Sequence, residues 1–111
     1  MGLLHYGGGE EPIQMPDRVL AHVKVVIATK LRRQESFLIS WRHPDDPAAG
    51  RESIWVHPAI PLRFVFDTAA NEEIDHALLQ QFAVEASSTK GLCLELESTP
   101  AEGRERIELV A

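Results

Sequence analysis

The chain has 111 residues, a formal net charge of −6, 44% apolar and 25% charged residues, and a single cysteine, Cys93. That length suits one domain with a core of its own, and one cysteine excludes an intrachain disulfide or a Cys-based zinc finger. No apolar run approaches the roughly 20 residues a membrane helix needs. The N-terminus, Met1-Gly-Leu-Leu-His5, has no basic region followed by a long apolar stretch, so the expected location is the cytoplasm, with no membrane partner. The acidity is uneven. Through Val65, 8 Lys/Arg face 7 Asp/Glu; from Phe66 onward, 3 face 10. The net charge argues mildly against a general nucleic-acid binder, whereas the asymmetry points to a polarised surface.

In chain order, Leu3–Tyr6 and Ile13–Met15 flank three glycines, the residues a hairpin loop wants, and predict a small N-terminal hairpin. No Lys-Ser/Thr follows Gly7-Gly-Gly9, so a phosphate cradle is not expected. Pro16-Asp17 opens a helix with Asp17 as the expected N-cap. Leu20, Val23, Ile27 and Leu31 recur at helical spacing as its buried stripe, widened by Val19 and Val26, while Arg18, His22, Thr29 and Arg32 fall on the opposite side. Lys30, Arg32 and Arg33 end it, where cations meet the partial negative charge of the last carbonyls.

Three strand-like runs follow, Glu35–His43, Ser53–His57 and Pro61–Phe66, and predict an antiparallel meander. Phe37, Ile39 and Trp41, then Ile54 and Val56, then Leu62, Phe64 and Phe66 make its helix-facing side. The other side is an open face of Ser40, Arg42, Ser53, Trp55, His57 and Arg63. Thr68 or Asn71 is expected to cap a second helix, with Glu72, Glu73 and Asp75 in its first turn and Ile74, Leu78, Leu79 and Phe82 buried. Gly91 is its expected left-handed cap. Leu92, Leu94 and Leu96 alternate with Cys93, Glu95 and Glu97 as a half-buried last strand. The fold class expected is α+β: one mostly antiparallel sheet with two helices on one face. It spans residues 1–98, and 99–111 form a C-terminal tail, either flexible or a hairpin arm.

The combination of Leu31-Arg-Arg33, Ser40-Trp41 and Ser53-Ile-Trp-Val-His-Pro58 with Ile60-Pro-Leu62 resembles a family of short actinobacterial proteins of unknown function, over about residues 1–98. Some members of that family carry the label ATP-dependent DNA ligase. The resemblance implies no catalytic residues. Ligase chemistry itself needs a lysine nucleophile in a Lys-x-Asp-Gly motif. None of the three lysines, Lys24, Lys30 and Lys90, stands before x-Asp-Gly, so ligase catalysis is not expected here.

No other constellation in the sequence carries chemistry. The five histidines lie far apart, and no cofactor or metal site is expected. His43 and His57 are the one pair that adjacent strand ends would bring near each other. A Ser-His-Asp set drawn from Ser40 or Ser53 and His57 lacks a nucleophile elbow. Cys93 has no basic neighbour in sequence to activate it. The sharpest candidate is a binding surface made of Trp55 with Arg42, His57 and Arg63. An indole flanked by guanidinium groups anchors a protein partner or a second copy of the chain. Lys30, Arg32 and Arg33 with Arg42 and Arg63 would alternatively serve an accessory nucleic-acid binder linked to repair or ligation.

Overall fold

The structure, a computed structural model, describes residues 1–9 and 11–96; the predicted tail 99–111 lies outside the described residues. The N-terminal hairpin forms as expected. β1 (Gly2–Tyr6) and β2 (Ile13–Met15) pair antiparallel, with Leu3 opposite Gln14 and Leu4 opposite Ile13. Gly7 and Gly9 adopt φ of 74° and 99°, left-handed values that cost glycine little.

α1 (Asp17–Arg32) buries Leu20, Val23, Val26 and Ile27, with Val19 and Leu31 packed beside them. Two expectations fail on this helix. Asp17 makes no bond to the helix's own amides; its carboxylate accepts from the Asp67 backbone N–H at 3.0 and 3.3 Å and pins the chain beyond the third strand run. His22, predicted on the solvent side, is fully buried, because the second helix and the segment ahead of it pack across that side of α1.

β3 (Phe37–Arg42) and β4 (Arg51–Val56) pair antiparallel from Phe37 opposite Val56 to Arg42 opposite Arg51. There the expected meander stops. β5 (Leu62–Val65) leaves β4 and pairs antiparallel with β1, His5 lying opposite Arg63 and Leu3 opposite Val65. The cause is the corner from His57 to Pro61. Two prolines fix φ and remove amide donors that a continued ladder would use. The corner closes on itself through Ile60 N–H to the His57 carbonyl at 3.1 Å, and Gly7 N–H donates to the Pro61 carbonyl at 2.9 Å, seating β5 on β1.

α2 (His76–Ala86) is capped by Asp75, whose Oδ1 accepts from Ala77 N–H at 3.0 Å and Leu78 N–H at 3.2 Å. The cap therefore falls later than Thr68 or Asn71, and Glu72 and Glu73 precede the helix instead of occupying its first turn. Phe82 and Ala86 are buried, with Leu78 and Leu79 packed against the core. The helix ends at Ser87 in a right-handed conformation, so Gly91 is not its cap. Gly91 has φ of 80°, and a Cβ there would lie 2.3 Å from the Leu38 carbonyl oxygen. Its role is to let β6 (Leu92–Glu95) pass close to β3. That pairing is parallel, from Ile39 beside Leu92 to Arg42 beside Glu95. The predicted alternation holds: Leu92, Leu94 and Leu96 are buried, Cys93 and Glu95 exposed.

The class is thus α+β, as the sequence leads one to expect, but with two three-stranded sheets, β2–β1–β5 and β4–β3–β6, in place of one. α1 packs on β1 and on α2, and α2 packs on β6 and β3, so one core joins both sheets and both helices. Tyr6 adds a polar tie between the sheets. Its hydroxyl donates to the Trp55 carbonyl and accepts from the His57 N–H.

Candidate functional site: the outer face of the second sheet

The pleat of β4 alternates its side chains, so Val56 is fully buried while Trp55 is 57% exposed. Strand register then lays three rows across the outer face. Trp55 stands beside half-buried Leu38; Ser53 and Ser40 lead to Cys93; Arg51 and Arg42 lead to Glu95. The face grades from an indole at one end, through hydroxyls, to guanidinium groups at the other. Phe37, Ile39 and Trp41 turn inward, as predicted.

The Ser40 and Ser53 hydroxyls are 2.7 Å apart and share one hydrogen bond. Arg42 donates to Glu95 at 2.7 Å, an ion pair more than half exposed at both ends and so weak in energy. A concavity of about 840 Å³ begins on this face and turns round the edge of β6 to Gln81 and Glu85 of α2, with Lys90 on its rim. Glu85 Oε1 accepts from the Cys93 N–H at 3.2 Å, standing at the β6 edge where another strand would pair.

The structure brings together part of the predicted surface. Trp55 and Arg42 share the face. His57 lies just past Trp55 and is exposed, but its Nδ1 accepts from its own loop, the Ala59 N–H, at 3.0 Å. Arg63 does not belong to the face: it is on β5, opposite His5 in the other sheet. Val65 is there too, half-buried opposite Leu3. Lys30 lies between Ser87 Oγ at 3.0 Å and Glu35 Oε1 at 3.4 Å and ties the end of α1 to the end of α2. Arg32 and Arg33 are exposed at the end of α1. The basic residues therefore occupy separate places and not one track.

The sequence does not place Arg51, Lys90, Cys93 or Glu95 on this face, although it turns Cys93 and Glu95 outward on the last strand. Arg51 was within reach, since positions 51, 53 and 55 share one parity and the strand merely begins two residues earlier than Ser53. The others needed the parallel β3–β6 pairing, which no local pattern announces.

His43 and His57 do not approach each other. The antiparallel register puts them at opposite ends of the β3–β4 ladder, about 23 Å apart along the strands. His43 Nδ1 donates instead to the Leu96 carbonyl at 2.9 Å. Among the described residues, no group of three His, Cys, Asp or Glu side chains is arranged to hold a metal, and no helix is long and apolar enough to cross a membrane. The Ser-His-Asp set is not assembled either, because the two serines bond each other and His57 bonds its own loop.

A second polar cluster lies at the α1–α2 junction. His22 Nε2 accepts from the Asp75 N–H at 2.9 Å, so the ring proton is on Nδ1 and donates to the Arg18 carbonyl at 2.6 Å. Phe82 meets the imidazole edge-on, centroids 6.3 Å apart. The Asp75 carboxylate also pairs with Arg18 at 2.9 Å. The Leu78 N–H, the Ala77 N–H and the Arg18 charge hold the Asp75 carboxyl below its usual range, against a smaller opposing effect of burial. The His22–Asp75 bond and the Arg18–Asp75 ion pair join α1 to the cap of α2, which marks the cluster as scaffold. At Tyr6 burial is the larger effect and pushes the phenol up, while the His57 amide opposes it.

Comparison with curated proteins and with solved structures gives no match. The family profile described as a domain of unknown function, DUF7882, matches residues 1–97.

Proposed function

We propose that this chain, which belongs to the DUF7882 family, is a non-enzymatic binding module that engages a protein partner through the outer face of its β4–β3–β6 sheet. The observation that carries the reading is Trp55, a 57% exposed indole on a strand whose next residue is fully buried. An indole held in water by a rigid strand is a costly way to use the largest side chain, and Trp with Arg nearby is the commonest composition of an interface anchor. The hydroxyls and guanidinium groups beside it supply the polar surround such an anchor needs. A second copy of the chain is one form the partner can take.

The alternative, an accessory nucleic-acid binder of an actinobacterial family associated with ligation, draws its support from exposed Arg32 and Arg33. It requires affinity for DNA that falls steeply with salt. A photo-crosslinking residue at position 55, with position 84 as control, tests the main reading, since Val84 is an equally exposed apolar residue on α2. The expected result is a protein adduct from position 55 alone, suppressed by excess unmodified protein and not by Trp55→Ala protein. Equal or absent adducts from both positions refute it.

A further inference from the structure

The outer face carries a charge arrangement that the described residues leave incomplete. Register sets Arg51 directly opposite Arg42 on adjacent antiparallel strands, and like charges so placed repel. Glu95, beside Arg42 on β6, neutralises one of the two at 2.7 Å. Among the described residues Arg51 has no acidic partner within 4 Å, and neither has Lys90 on the rim of the same concavity. The row is therefore short of one negative charge. In the next row the Ser40–Ser53 bond uses one hydroxyl hydrogen and leaves the other free to donate outward. At the far end stand Trp55 and Leu38.

From this we infer that the face recognises an extended acidic peptide segment of the partner: one carboxylate between Arg51 and Arg42, and an apolar side chain four residues along the peptide against Trp55. The inference rests on the binding-module reading and names the partner's chemistry. A carboxylate suits the gap because it brings one charge and a planar pair of oxygens that a guanidinium grips with two parallel bonds. A phosphate dianion would meet Glu95 beside it. A polyanion would face a chain of net charge −6. The spacing follows from β4. Arg51 and Trp55 are four residues apart on one side of a strand, about 13 Å, and an extended peptide running alongside presents every second residue to the same face. Glu and Leu four apart then reach both ends; Glu and Leu three apart cannot, because one of them points away.

The test titrates the full chain with blocked nine-residue peptides and follows tryptophan emission. Trp41 is buried and Trp55 exposed, so a binding-induced shift reports Trp55. A peptide with Glu and Leu four residues apart is expected to saturate the signal. Replacing its Glu by Gln, or moving Leu to a spacing of three, weakens binding at least tenfold. Arg51→Gln protein loses the same factor and no longer distinguishes the Glu from the Gln peptide, whereas Arg51→Lys retains part of the discrimination. Stability of the free protein separates binding from structure, since Arg51→Gln removes a repulsion and leaves the urea midpoint unchanged or higher.

Equal binding of the Glu and Gln peptides, or an unchanged preference in Arg51→Gln, overturns the inference. Competition by oligothymidylate for the Trp55 signal overturns it in favour of a nucleic acid. If no peptide saturates the signal while position 55 still gives its specific adduct, the acidic-peptide assignment falls and the binding-module reading stands. Loss of the adduct as well removes both.

Discussion

Replacing His22 by leucine tests the junction on which the packing of the two helices depends. The imidazole is fully buried, accepts from the Asp75 N–H at 2.9 Å and donates to the Arg18 carbonyl at 2.6 Å. Leucine fills a similar volume and keeps an apolar contact with Phe82, so no large cavity opens. The Arg18 carbonyl keeps its place in the helical ladder and loses little. The Asp75 N–H loses its only bond in this cluster, and a buried donor left without a partner costs about 1–3 kcal/mol. We expect a net loss of about 2 kcal/mol, and a melting temperature lower by roughly 10 °C for a domain of this size. Glutamine at 22 carries a carbonyl near the position of Nε2 and should recover about half of that loss. Urea unfolding with an unchanged slope gives the stability, and hydrogen exchange at the Asp75 amide gives the mechanism. A His22→Leu protein within about 0.5 kcal/mol of the parent, with its Asp75 amide still protected, refutes the reasoning.

Three further outcomes follow from the same structure. Tyr6→Phe removes the hydroxyl that joins the Trp55 carbonyl to the first sheet and should cost about 1 kcal/mol in urea unfolding, with faster exchange of the His57 amide. Gly91→Ala places a Cβ against the Leu38 carbonyl oxygen and a side chain at φ of 80°, and should lower stability by at least about 2 kcal/mol, visible as a shifted thermal midpoint. The Asp75 carboxyl, held low chiefly by the Leu78 N–H, contributes stability that is fully present above the unfolded value and lost as pH falls through the lower folded one. Stability should therefore decline below about pH 4. Asp75→Asn, which keeps an acceptor for the cap, should show a shallower decline over that acid range in unfolding curves taken at successive pH values.

Much of the fold was legible because its signals are local. The glycine turn between two apolar runs gave the hairpin, the stripe from Leu20 to Leu31 gave α1, and the alternation of Leu92, Leu94 and Leu96 gave β6. The side on which Trp55 stands was legible for the same reason, since Ile54 and Val56 make the better core pair. What could not be read is pairing between distant segments. β5 follows β4 in sequence, and only the two prolines of the corner hint that it departs to β1. Arg63 was placed on the wrong sheet as a direct result. His22 was misplaced by the same kind of event: one turn of the polar side of α1 is covered by the chain leading into α2, and the imidazole is retained there because it can bond to a backbone on each side. Arg51 and Glu95 become neighbours of Arg42 only once two strands are known to flank β3.

The parallel seam between β3 and β6 has a consequence for biosynthesis. Arg42 and Glu95 lie 53 residues apart, so a ribosome working at about 5–20 residues per second exposes the apolar run Phe37–Trp41 for roughly three to ten seconds before its second neighbour is made. Throughout that interval one border of the nascent strand is open to any passing chain. A chaperone that shelters unfinished strands would find this run among its sites on the growing polypeptide.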